Sequence, residues 1–164
     1  PHAPVALAPP IGQQPVAVAA TVATIAPYPP QLTGRRDPEP GRGLCADAFT
    51  SAARVKAVRD GAHVFLTDGV YGLYNELAQI GIIDRIEVLD PQGQRREGDK
   101  SPRIVFGPTC DSVDRLPGDV MLADDIAEGD FFVVKGMGAY SVVLNSRFNG
   151  FGEIALATVL SLKL

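Results

Sequence analysis

"AARVKAVRDGAHVFLTDGV", residues 52–70, decides the fold. Two strand-like runs flank Asp60-Gly61. Asp-Gly between such runs is a hairpin signal, because both residues tolerate the positive φ that a tight two-residue turn demands. The same texture continues on the C-terminal side. "IDRIEVLDPQGQ" (83–94) reads as a strand ending in a Pro-Gly turn, and "PRIVFGP" (102–108) as a short buried strand stopped at Gly107-Pro108. "DDIAEGDFFVVKGMGAYSVVL" (124–144) holds a turn at Glu128-Gly129-Asp130 with apolar, β-branched runs about it. "YNELAQIGI" (74–82) is the best short helix, and "IALATVLSL" (154–162) fits a terminal strand or a short helix equally. Short strands with turn signals at this spacing imply an all-β domain, a Greek-key-like barrel or sandwich, with one or two short helices.

Residues 1–38, "PHAPVALAPPIGQQPVAVAATVATIAPYPPQLTGRRDP", have a different texture. Proline there removes backbone donors and blocks helix interiors and central strands. Only "VAVAATVATIA" (16–26) could form a short regular element. The expected organisation is a Pro/Ala-rich leader over 1–38, extended or disordered, and a β domain over 39–164.

The 164 residues suit one domain, with 46% hydrophobic and 21% charged residues and a net charge of −4. A mildly acidic surface gives no reason to expect nucleic acid or an anionic membrane as partner. No apolar run reaches a membrane span, and the first residues lack the basic region of a signal peptide. A cytoplasmic protein is expected, and the absence of an initiator Met suggests part of a longer chain. Cys45 and Cys110 are too few for a disulfide scaffold. Neither lies in a CxxC pair or near a His, so no metal site is expected.

Four stretches carry chemistry beyond plain loops. In "EPGR" (39–42), Gly41 permits amides to approach an anion and Arg42 supplies a charged fork; an ordinary surface turn fits as well. "TDGVYG" (67–72) follows a strand with an Asp-Gly turn. "FGPTCDSVD" (106–114) sets Cys110 beside Asp111. A neighbouring carboxylate raises a thiol's pKa, which argues against a protease-like nucleophile. From the residues alone, Cys110 is as readily a buried inert thiol as an active one. In "GMGAYSVVLNSRFNGF" (136–151), two glycines imply close backbone approach and Tyr140 offers a phenol donor.

Taken in order, "EPGR", "DGVYG", "FGPTCDSVD", "GMGAY" and "RFNGF" resemble the C-terminal part of the fold-type III, pyridoxal-phosphate-dependent decarboxylases. These act on ornithine, lysine, arginine or diaminopimelate. The likeness runs from Glu39 to Leu162 and is nearest to ornithine or lysine/ornithine decarboxylases of a bacterial kind. It implies an enzyme with an α/β barrel carrying the Schiff-base lysine, a C-terminal β domain, and active sites at a homodimer interface.

The resemblance also implies roles. Glu39 would pair with the cofactor's pyridine nitrogen, keeping the ring an electron sink. Gly41, Arg42 and Tyr140 would bind its phosphate. Asp68 and Asp111 would receive the distal ammonium of a small diamino acid, since a desolvated charge needs close partners. Cys110 would govern protonation near the α-carbon after carbon dioxide leaves, with Cys110 and Asp111 completing the partner protomer's site. Diaminopimelate decarboxylases usually carry Cys-Glu at this point, so Cys-Asp favours ornithine or lysine and hence polyamine formation.

The family's barrel precedes EPGR by roughly two hundred residues or more, beyond what residues 1–38 supply. Lys56 follows EPGR, where the family has a β-domain strand, and is not its Schiff-base lysine. The expectation is therefore no meaningful decarboxylase activity from this chain alone, and self-association through a bared interface. A non-catalytic remnant, or a module that pairs with an intact decarboxylase and regulates it, is the alternative.

Overall fold

The computed structural model describes residues 16–21, 41–81 and 85–159. The opening hairpin forms as expected. Strands β2 (Phe49–Arg59) and β3 (His63–Leu66) pair antiparallel, and the turn between them has φ of 52° at Asp60 and 60° at Gly61. Two consecutive positive φ values match the right-handed twist of the flanking strands. Along β2 the inward side chains are Ser51, Ala53 and Val55, spaced by two. The register with β3 then shifts between Val55 and Ala57, which leaves Lys56 exposed at a bulge. A bulge bends a strand, and bending lets one long strand serve two parts of a barrel wall.

The other elements around β2 are β1 (Val16–Thr21), β4 (Ile86–Leu89), β5 (Lys100–Phe106), β6 (Val120–Ala123), β7 (Phe131–Val134) and β8 (Ile154–Val159). The main path runs β4-β7-β2-β3-β5-β6. Its two ends, β4 and β6, meet, so the six strands make a nearly closed barrel. All neighbours on this path are antiparallel except β3 and β5. The expected all-β barrel is therefore what forms. "IALATVLSL" contributes a strand, β8, which runs parallel to β1; β1 also pairs with β2 and lies within "VAVAATVATIA".

Helices are short: α1 (Gly41–Cys45) and α2 (Asn75–Ile80). Helix α2 ends where Gly81 takes φ 66° and donates its N–H to the carbonyl of Leu77. The core is filled by Val55, Leu66, Leu77, Val105, Leu122 and Phe132, with Tyr74 wholly buried among them. Burial pushes the Tyr74 phenol far up, so its hydroxyl stays protonated. It accepts from the Ser51 hydroxyl and donates to the Phe132 carbonyl, each at 3.5 Å.

Candidate functional site

The turn after β3 and the loop after β5 are built around one carboxylate. Asp114 is almost wholly buried. Its Oδ1 accepts the Val70 N–H at 2.9 Å. Its Oδ2 accepts the Thr109 N–H at 3.0 Å and the Thr109 hydroxyl at 2.7 Å. The "DGVYG" turn and the "GPTCD" loop are thereby tied to one group. Glycine is needed at both 69 and 107 because a Cβ at either position would overlap the Asp114 carboxylate.

Asp111 and Cys110 lie on that loop. Asp111 Oδ2 accepts the Tyr71 hydroxyl at 2.6 Å, and its Oδ1 accepts the Val113 N–H at 3.0 Å. The Tyr71 donation first, and the Val113 amide second, hold the Asp111 carboxyl below the usual carboxylate range. Reciprocally, the Asp111 carboxylate pushes the Tyr71 phenol up. Cys110 is an exposed free thiol, not the buried one that its apolar character alone would allow. Asn149 of the "RFNGF" stretch reaches its sulfur from 3.7 Å. Phe148, from the same stretch, stacks on Tyr71 at 4.3 Å between centroids. Ser146 donates its N–H and its hydroxyl to the Tyr71 carbonyl at 3.0 and 2.7 Å. Three motifs far apart in sequence thus meet around Tyr71.

Beside them is a small cleft lined by Asp68, Tyr71, Thr109, Asp114, Phe148 and Phe151, among others, with a volume of about 10 Å³. That is room for about one water molecule, so this cleft alone does not hold a small molecule. Asp68 turns inward at its edge, with 2% exposure, and accepts the Leu73 N–H at 3.0 Å. Burial raises its carboxyl to about 6; the amides of Leu73 and Gly69 oppose the rise, and the charge of Asp114 adds to it.

A second group forms where α1 meets the "GMGAY" segment. Met137 donates its N–H to the Phe49 carbonyl and Gly138 to the Ala46 carbonyl, each at 2.8 Å, bringing Tyr140 to Arg42. The Arg42 guanidinium sits over the Tyr140 ring, 5.4 Å from its centroid. Both its terminal nitrogens donate to the Glu76 carboxylate, Nη1 to Oε2 at 2.8 Å and Nη2 to Oε1. Among the described residues, nothing lies within 4 Å of a Cβ built at Gly41. An exposed phenol and a partly exposed guanidinium fit the phosphate end of a cofactor. Glu39, the carboxylate expected at the pyridine nitrogen, lies outside the described residues. No group of three or more His, Cys, Asp or Glu among the described residues could hold a metal ion.

Tyr71, Asp114 and Glu76 were not singled out from sequence. Tyr71 and Asp114 stand inside quoted motifs, where each had a visible position but no visible partner. Glu76 meets Arg42 across 34 residues, and nothing local signals that pairing.

A family profile described as "Pyridoxal-dependent decarboxylase, C-terminal sheet domain" matches residues 21–138. A chloroplastic ornithine decarboxylase of Nicotiana glauca is 35% identical over 131 residues, covering 75% of this chain and 30% of the relative. The ornithine decarboxylase of Cricetulus griseus is 31% identical over 150 residues, covering 82% and 32%. A lysine/ornithine decarboxylase from Vibrio vulnificus, solved with cadaverine, superposes with a TM-score of 0.60 at 30% identity, covering 73% of this chain and 32% of that one. The chain thus spans about 30% of the length of these relatives. It belongs to the pyridoxal-dependent decarboxylases, as their C-terminal sheet domain.

Proposed function

We propose that these residues supply one half of the active site of a decarboxylase for basic amino acids. Ornithine or lysine would be the substrate and putrescine or cadaverine the product. The observation that carries this reading is the junction at Tyr71. It presents an exposed thiol, Cys110, next to a carboxylate, Asp111, that is kept ionised. A charged carboxylate fixed by two donors is preorganised for a terminal ammonium, and it need not reorganise when that cation arrives. Asp68, at the edge of the cleft, is the carboxylate this chain offers to the amine in its own site, the second one there being the partner's Asp111.

Pyridoxal phosphate, when bound, supplies the electron sink that decarboxylation requires. Arg42, Gly41 and Tyr140 hold its phosphate in this reading, and Glu39 meets its pyridine nitrogen. Cys110 Sγ holds the proton that is delivered to the substrate's α-carbon after carbon dioxide departs, and the nearby Asn149 amide orients that sulfur. The lysine that binds the cofactor comes from a barrel, on the same or another polypeptide.

A homodimer completes the arrangement, with Cys110 and Asp111 serving the partner's site. Exposed Val142, Val143, Leu144 and Phe148 offer apolar surface beside the cleft for that contact. The cytoplasm, a reducing compartment, suits the free Cys45 and Cys110.

The test mixes the purified chain with the barrel portion of a relative, pyridoxal phosphate and carboxyl-labelled ornithine, lysine or arginine. Labelled carbon dioxide should appear only when both pieces are present, and should fall with Cys110→Ala or Asp111→Ala. Release by the chain alone, or release indifferent to both substitutions, would refute the reading.

A further inference from the structure

Glu76 stands on α2, eight residues beyond Asp68, yet it grips the residue read as the phosphate binder. Its carboxylate takes both terminal nitrogens of Arg42 in a fork-to-fork pair. A phosphate monoester approaching a guanidinium uses that same bidentate edge. One face of the guanidinium is also committed, lying over the Tyr140 ring. Glu76 is itself only 12% exposed, against 36% for Arg42, so the pair is held rather than freely exchanging with solvent. An anion arriving at Arg42 therefore meets an occupied edge and a neighbouring negative charge, and like charges at that range repel.

We propose that Glu76 is an internal counter-anion that competes with phosphate for Arg42 and so sets the phosphate affinity of this site. The proposal rests on the reading of Arg42 and Tyr140 as phosphate binders and adds a residue that works against them. Free inorganic phosphate, with no other anchor, is held off. A phosphate ester fixed elsewhere through its ring displaces Glu76 from the fork.

The experiment follows the Arg42 side-chain N–H by nuclear magnetic resonance in the purified 164-residue chain. Inorganic phosphate is titrated first, then pyridoxal phosphate. Glu76→Gln keeps the shape and removes the charge. It should tighten inorganic phosphate binding about three- to five-fold, the scale of a partly exposed ion pair. Arg42→Met should abolish binding in either background. Glu76→Asp, which withdraws the carboxylate by one methylene, should give an intermediate affinity and covers the case in which glutamine fails to fold. If binding still depends on Arg42 but Glu76→Gln binds equally or more weakly, the counter-anion is overturned and the phosphate reading stands. If Arg42→Met leaves binding unchanged, or neither the parent nor Glu76→Gln binds phosphate, both are overturned.

Discussion

Replacing Asp114 by alanine tests whether one buried carboxylate holds the site together. Asp114 is 1% exposed and accepts three hydrogen bonds, at 2.9, 3.0 and 2.7 Å, from Val70 N, Thr109 N and Thr109 Oγ1. Hydrogen bonds to a charged group contribute about 1.5–3 kcal/mol each, and a buried donor left without a partner costs about 1–3 kcal/mol. Val70 lies in the interior and its amide has no water to turn to, whereas Thr109 is partly exposed and can be rehydrated. The three terms share one group and do not add, so a net loss of about 3–5 kcal/mol is expected. That is a large share of the 5–15 kcal/mol that is roughly typical of a domain. Asp114→Asn retains one oxygen but turns an N–H₂ toward one donor, and about 2 kcal/mol should go.

The assay is urea unfolding followed by circular dichroism and tyrosine emission, since the chain has no tryptophan. With a slope of about 2 kcal/mol per molar, the alanine variant's midpoint should fall by about 2 M. Alkylation of Cys110 below that midpoint should change in rate as well, because the loop carrying it loses its anchor at Thr109. A midpoint within about 0.3 M of the parent, with the slope unchanged, would mean that Asp114 does not bind these loops together.

Asp68 gives a signed pH effect. The native group keeps its proton to about 6 and the unfolded one loses it near 3.8, so between these values the native state binds more protons. Its contribution to stability therefore falls as pH rises through that window, by at most about 3 kcal/mol at roughly 1.4 kcal/mol per pH unit. Urea midpoints of the parent relative to Asp68→Asn, measured from pH 4 to 7, should show that fall, and a rise would contradict it. Tyr71→Phe removes the largest cause of the lowered Asp111 carboxyl, so its titration, followed by carbon-13 shifts, should move up toward the ordinary range. An unmoved midpoint would mean that the phenol does not sustain the charge. Gly72→Ala would drive a Cβ into the Asp68 carboxylate. It should lower the melting temperature by about 5–15 °C, taking roughly 2–4 kcal/mol at 2–4 °C per kcal/mol.

The barrel was legible because its determinants are local. Asp60-Gly61 sets a hairpin whatever surrounds it, and Gly81 ends α2 through its own φ. The parallel pairing of β3 with β5 was not, since it joins segments that no periodicity links. The site divides in the same way. Motif order exposed Cys110, Asp111, Arg42 and Tyr140 by resemblance, but the hydroxyl that keeps Asp111 charged comes from Tyr71, 40 residues away. Residue type alone could not rank Asp68 against Asp111, because burial and donors, not identity, separate them.

That separation has a consequence for how a diamine would be held. Asp111 is ionised before any ligand comes, stabilised by Tyr71 and Val113. Asp68 carries its charge at a cost, being buried beside a second buried carboxylate, Asp114. An ammonium beside Asp68 would relieve that cost, and its carboxyl would fall back from about 6 as the cation enters. In the proposed reading the gain on binding would then be larger at Asp68, while steering toward the site would fall to Asp111, whose charge is constant across the neutral range. In the proposed reading, amine binding below pH 6 therefore releases a proton from Asp68 and none from Asp111. Calorimetry of putrescine or cadaverine binding in buffers of different ionisation enthalpy reads that proton directly. With Asp68→Asn the buffer dependence should vanish; if it persists, Asp68 does not face the amine.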